Sequence, residues 1–511
     1  MIKIFKLGTL SGLLLASMIF FIGCKKDSPQ PQLTGTNKQF KLFSKSNPAI
    51  SGTVTFAKRD DNATLVTVQL SGTSAGASHP AHIHANTAAE GGSIILDLTA
   101  IDGASGKSET VVKTLKDGTA ITYEQFLIIN GYVNVHLSGT DLGTLIAQGD
   151  IGQNELTTTS KVYMLASVSN AAISGTATFS KRVSGKALVS IALTGTSAGV
   201  TSIAHIHANT VAQTGSVVVD LASITGATGK SETSVSKLNT GADISYDELL
   251  NFNGYINVHE SAGTISTIIA AGDIGINELT STSKTYTLNA VSNNAISGTA
   301  KFTKRVSGET LVSISLTGTT AGVSSPAHIH FNSAAQGGGI AISLTSVNGT
   351  TGKSETSVSK LNSGDAITYD QLLNFNGYIN VHESVANIAN LIAQGNIGSN
   401  EGNTTAVNYN VTNSGSVAYV FNGGGFSNTN NPSLTLQRGK TYTFTLNVAG
   451  HPFFIKTVQE TGTTSAYNDG VTNNGASSGV LSFTVPANAP NTLYYVCQFH
   501  TSMVGTITIT N

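Results

Sequence analysis

The chain has little charge. Of its 511 residues only 11% are Asp, Glu, Lys or Arg, and the net charge is −1. Nothing in such a balance draws in a polyanion, so nucleic acid is excluded as a partner on bulk electrostatics. Cysteine is nearly absent, with two residues, Cys24 and Cys497, so a disulfide-stapled scaffold is excluded. Tryptophan is missing and proline is held to 9, whereas glycine reaches 54. Ser, Thr, Val and Ile recur throughout, which suits strands and turns better than helices. No serine or cysteine nucleophile motif occurs. Gly423-Gly424-Gly425 follows a strand pattern but opens no helix, so it is no phosphate loop. The chain reads as a binding or structural protein, not an enzyme.

What is present begins with a leader. Lys3 and Lys6 precede an apolar run from Leu7 to Ile22, which is short for a membrane span and ends in Gly23-Cys24. This end resembles the lipobox of bacterial lipoproteins, although Phe21 stands where leucine is usual. The resemblance implies a signal peptide over 1–24, lipidation at Cys24, and a membrane-anchored lipoprotein of the bacterial envelope, at the outer membrane or cell surface. Residues 25–37, with Lys25-Lys26-Asp27 and a Ser/Pro/Gln stretch, read as a tether. Cys497 then remains as a lone thiol in an exported protein, for which metal ligation is a reason.

Histidine placement is the strongest signal. Of 12 histidines, nine form a repeated triad: His82, His84, His136; His205, His207, His259; His328, His330, His382. Successive copies lie 123 residues apart (205 − 82 and 328 − 205). Other text keeps this period: Ala49-Ile50-Ser51-Gly52-Thr53 returns from Ala172 and Ala295, and Lys107-Ser108-Glu109-Thr110 returns from Lys230 and Lys353. A period this long describes a whole domain. The aromatic series Phe40, Tyr163, Tyr286 places the copies at 38–160, 161–283 and 284–405.

Short alternating runs such as Leu65-Val66-Thr67-Val68-Gln69-Leu70 predict strands, and Tyr123 to Ile128 predicts a helix of about two turns. In each copy His-Ile-His lies in a strand, which puts its two imidazoles on one face. With the third histidine they make either a Cu or Zn site with an open position or a set of structural hydrogen bonds. The copies resemble the CHRD family, first noted in chordin, through His-Ile-His, Gly131-Tyr132-Val133-Asn134-Val135-His136 and Gln148-Gly149-Asp150-Ile151-Gly152. That resemblance implies a fold more than an activity. The histidine pattern is also similar to the copper ligands of Cu/Zn superoxide dismutase, without its bridging histidine.

Residues 406–511 leave the repeat and form a fourth all-β segment, with alternation in Thr441 to Leu446 and Leu481 to Val485. Here Leu493 to Cys497 reads as a strand ending in the thiol. A loop bearing His500 follows, then Met503 and the strand Val504 to Ile509, while His451 lies far back. A thiolate, two imidazoles and a thioether describe a blue-copper centre. This segment resembles the cupredoxin family, with the short Cys-x2-His-x2-Met loop of amicyanin. The resemblance implies equatorial ligands His451, Cys497 and His500, axial Met503, one type 1 copper and a redox partner protein. The whole is expected to be all-β: three tandem antiparallel sandwich or barrel repeats, then a Greek-key sandwich. Copper binding with single-electron transfer is the leading expectation; a structural or adhesive surface protein and a copper buffer using the triads are the alternatives.

Overall fold

The computed structural model describes residues 30–292, 295–401, 407–438, 440–486 and 488–510. The leader, Cys24, Lys25 to Asp27 and Gly439 lie outside the described residues. No helix among those described is long and apolar enough to cross a membrane. Two compact units divide between Glu155 and Leu156.

The first unit holds a closed barrel. Its strands are β1 (Leu33–Ser44), β2 (Ser51–Arg59), β3 (Thr64–Ser71), β4 (Ser78–Ala85), β5 (Ile94–Asp102), β6 (Lys107–Val112), β7 (Asn130–Ser138) and β8 (Asp141–Gly152), ordered β1-β2-β3-β6-β5-β4-β7-β8. All pairings are antiparallel. Strand alternation builds the interior: in β3, Val66, Val68 and Leu70 are buried while Gln69 faces out. Phe40, Phe56, Phe126, Ile83, Val133 and Val135 join the same core. Each such side chain contributes roughly 1.5–3 kcal/mol on burial. The expected helix is a single turn, α1 (Tyr123–Phe126), started by a capping box between Thr122 and Gln125. β1 starts at Leu33, so Phe40 falls inside a strand and residues 33–37 of the expected tether are strand.

The second unit opens with two barrels of the same topology, from Leu156–Ser167 to Ile268–Gly275 and from Leu279–Ala290 to Leu391–Gly398. Each barrel closes between its first and last strands over two register pairs, as at Ala270↔Ser167 and Ala271↔Ala166. Glycine is required beside this seam. A Cβ on Gly149, Gly272 or Gly395 would sit 2.1 Å from the carbonyl oxygen of Lys41, Met164 or Thr287. The choice between sandwich and barrel is thereby settled as closed barrels.

Residues from 407 form two facing sheets. One has six strands, with Val407–Ser414 parallel to Thr441–Asn447 at its centre; the other has four, with Thr492–Cys497 between Phe453–Lys456 and Val504–Thr510. Tyr419, Phe421, Phe444, Phe453 and Tyr495 fill the space between them.

Candidate metal centres

The C-terminal centre is built where two strands and two turns meet. Phe453 pairs with Cys497 in the four-stranded sheet, so His451, two residues ahead in the preceding turn, arrives beside the thiol. That turn is held by His451 N–H donating to Val448 O at 2.8 Å, and by the Tyr419 hydroxyl donating to His451 O at 2.8 Å. The ligand loop closes on itself through Cys497 N–H to Met503 O at 2.9 Å and Met503 N–H to His500 O at 3.2 Å. Asn431 further donates to Ser502 O at 2.9 Å.

These constraints bring the expected side chains together. Cys497 Sγ is 3.6 Å from His500 Nδ1 and 3.9 Å from His451 Nδ1, and the two Nδ1 atoms are 3.2 Å apart. Ligands on one tetrahedral ion, at ordinary metal–sulfur and metal–nitrogen lengths, stand about 3.5 Å (S to N) and about 3.3 Å (N to N) apart. The donor set therefore fits a copper ion. Cys497 and Met503 are fully buried, His451 and His500 are partly exposed, and Phe499 beside them is 59% exposed. Burial, and then the neighbouring Cys497, push the Tyr419 hydroxyl far above its ordinary pKa, so it stays protonated and keeps its grip on His451 O.

Lys456 was not singled out by sequence. It is fully buried and donates to Glu460 O at 2.9 Å and Gly462 O at 2.8 Å, while Gly462 N–H donates to Gln498 O at 2.7 Å. It thus holds a second loop against the ligand loop. Only the apolar setting of its flanking Phe454 and Ile455 hinted at this.

In each barrel the triad sits on the outer face. Ile83 points into the core, so His82 and His84 point away from it. Across the β4–β7 pair His82 faces Asn134 and His84 faces Tyr132, and His136 lies one diagonal step from His82. Register shifts fall at His84 and at His136, and recur at His207, His259, His330 and His382. In all three barrels one nitrogen from each ring lies within 4.8 Å of the others.

Two loop carbonyls orient the rings. His84 Nδ1 donates to Gly92 O at 2.9 Å, repeated at His207 with Gly215 and at His330 with Gly338. His136 Nδ1 donates to Leu142 O at 2.7 Å, repeated at His382 with Ile388. His84, His207 and His330 each stack on a tyrosine as well, with the His84 and Tyr132 centroids 5.0 Å apart. Burial, then the neighbouring imidazole, lowers the pKa of His82, His205 and His328, which favours the neutral form.

The unrepeated histidine is explained as well. His79 Nδ1 donates to Leu137 O at 2.8 Å, and at the equivalent positions Ser202 Oγ donates to Glu260 O at 3.1 Å and Ser325 Oγ to Glu383 O at 3.0 Å. One loop pin is made by two residue types. The Glu383 carboxylate accepts from Asn387 and Asn390, which makes it a loop brace.

No curated protein matches the chain. Among solved structures, a chain described as the BSP domain of a biofilm associated protein aligns at 11% identity over 93% of this chain and 96% of that one, with a TM-score of 0.16. Residues 153–265, which carry His205, His207 and His259 and most of the second barrel, match the family model described as the CHRD domain.

Proposed function

We propose that the protein is a tandem β-barrel array of the cell envelope, anchored by a lipid on Cys24, whose C-terminal domain binds one copper ion and passes single electrons to a partner protein. The observation that carries this is the meeting of Cys497, His451 and His500 at ligand spacing, with Met503 buried beside them. Bound copper supplies a one-electron couple. The protein's own part is to hold the donors in place: Tyr419 fixes the His451 turn, and the short loop from Cys497 to Met503 fixes the other three. A fixed donor set favours electron transfer because little has to move between oxidation states. The barrels serve as a stalk, and no catalytic group is needed.

The test is a Cu(II) titration of the soluble chain from Lys25 onward. An intense thiolate-to-copper band saturating at one equivalent, and lost in Cys497→Ser, supports the reading. A chain that takes up no copper and shows no band overturns it in favour of the structural reading, which the tandem closed barrels themselves favour.

A further inference from the structure

We infer that each barrel is itself a metal-binding module: a divalent transition-metal ion that favours imidazole, Cu(II) or Zn(II), held on the outer barrel face by His82, His84 and His136 and by their counterparts in the second and third barrels. This goes beyond the C-terminal centre and does not depend on it.

In each barrel the three rings bring one nitrogen apiece toward the others. A neutral imidazole carries one N–H and one lone pair. In His84 the N–H is committed to Gly92 O, so the lone pair is on Nε2. That atom is buried and has no hydrogen-bond partner among the described residues, and the same holds for His207 Nε2 and His330 Nε2. All three rings are at least nine-tenths buried. His136 Nε2 likewise carries a lone pair, since its Nδ1 donates to Leu142 O.

A purely structural triad accounts for only part of this. His82 Nδ1 lies 3.2 Å from His136 Nε2, and His328 Nδ1 lies 3.2 Å from His382 Nε2, so a hydrogen bond satisfies those pairs. It leaves the lone pair of His84 or His330 buried opposite them with no donor, a desolvation cost repeated in both barrels. In the second barrel His205 Nδ1 and both ring nitrogens of His259 are also without partners among the described residues. One cation at the convergence satisfies three lone pairs at once. Nitrogens on one tetrahedral ion stand about 3.3 Å apart, so the first pair is already at ligand spacing and the third ring has to close by at most about 1.5 Å.

The surroundings resemble the supporting shell of a metal site. Backbone carbonyls hold the far nitrogens of two ligands in the first and third barrels and of His207 in the second, and a carboxylate faces the far nitrogen of the remaining ligand in the first two barrels: Asp97 Oδ1 is 3.8 Å from His82 Nε2, and Asp220 Oδ1 is 3.5 Å from His205 Nε2. The third barrel has Ser343 at that cross-strand position, opposite His328. Losing such a partner typically weakens a site 10–100-fold. The third barrel is therefore the weak one.

The experiment uses the chain from Lys25 onward with His451→Ala and Cys497→Ser, which removes the C-terminal centre from the count. Zn(II) is titrated against a chromophoric chelator, and Cu(II) by electron paramagnetic resonance. Three equivalents per chain are expected, two tight and one about 10–100-fold weaker, with nitrogen superhyperfine coupling to Cu(II) and no thiolate-to-copper band. His82→Gln, His205→Gln and His328→Gln together should abolish uptake; these rings are the less buried of each triad, and the melting temperature checks that the barrels still fold. Ser343→Asp should tighten the third site. No uptake by the folded parent, or uptake that survives the three substitutions, overturns the inference. Loss of the thiolate band in the unsubstituted chain bears only on the C-terminal centre.

Discussion

Arg305 Nη1 lies 2.6 Å from Asp273 Oδ2, reaching from the third barrel into the second with its side chain fully buried. The same nitrogen donates to Asn277 O. Three residues separate the last strand of one barrel, ending at Gly275, from the first of the next, starting at Leu279, so this clasp and the Ser307 N–H to Ile276 O bond of 2.8 Å join the two. Truncating one partner of a buried ion pair costs about 3–5 kcal/mol because the other charge is left uncompensated. Arg305→Leu should lose that much stability in denaturant unfolding, and Asp273→Asn on that background should recover part of it. Asn396 already stands at the corresponding place in the third barrel and accepts from Ala334 N–H at 2.8 Å, as Asp273 does from Val211 N–H. Equal stability of the single and double variants would show that the pair carries no charge coupling.

The barrel seam makes a second prediction. A Cβ at Gly272 meets the Met164 carbonyl at 2.1 Å, so the backbone has to move. Gly272→Ala should cost about 1–3 kcal/mol by overpacking. Gly263→Ala, where nothing but the Ser261 hydroxyl lies within 4 Å, should be close to neutral. Calorimetry on the two variants separates a seam effect from a general intolerance of alanine.

Acid acts on the first barrel in a way the other two do not share. The Arg59 guanidinium, with Lys113 on the other side, holds the Asp61 carboxyl at about 2, below its ordinary 3.8. A folded value lower than the unfolded one adds stability that is full above about pH 4 and is lost as pH falls toward 2. Asp61→Asn should therefore be less stable than the parent at neutral pH, with the gap closing between about pH 4 and 2. Ser184 and Ser307 occupy this place in the later copies. A gap independent of pH would rule out the charge as its cause.

Copper should stabilise the C-terminal domain by mass action. At a hundredfold excess over Kd the gain is about 2.7 kcal/mol. His451→Ala should lose most of it in thermal melts with and without Cu(II), whereas Met503→Leu should keep most of it and the thiolate band while shifting the reduction potential, since an axial thioether binds weakly. A Met503→Leu chain that neither binds nor colours would require a stronger role for the thioether.

Much of this was legible one residue at a time. Alternation in Leu65 to Leu70 marks β3 because burial on one face of a pleat is a local property. The pairing of His82 with His84 follows from the same two-residue period, and the ligand loop from Cys497 to Met503 is short enough to read directly. Lys456 was missed because its partners are two backbone carbonyls, Glu460 O and Gly462 O, which leave no side-chain signature. Arg305 was missed because its partner lies in another copy of the repeat.

The threefold repeat, the strand class and the histidine inventory can be read from the chain alone, since periodicity and composition survive without contacts. Only the folded chain shows that the sheets close into barrels, that His451 reaches Cys497, and that Gly92 O and Leu142 O orient the rings of His84 and His136. Those outcomes depend on hydrogen bonds between residues far apart in the chain or on loop carbonyls. Every residue carries a carbonyl, so the sequence offers no way to tell which one will be aimed.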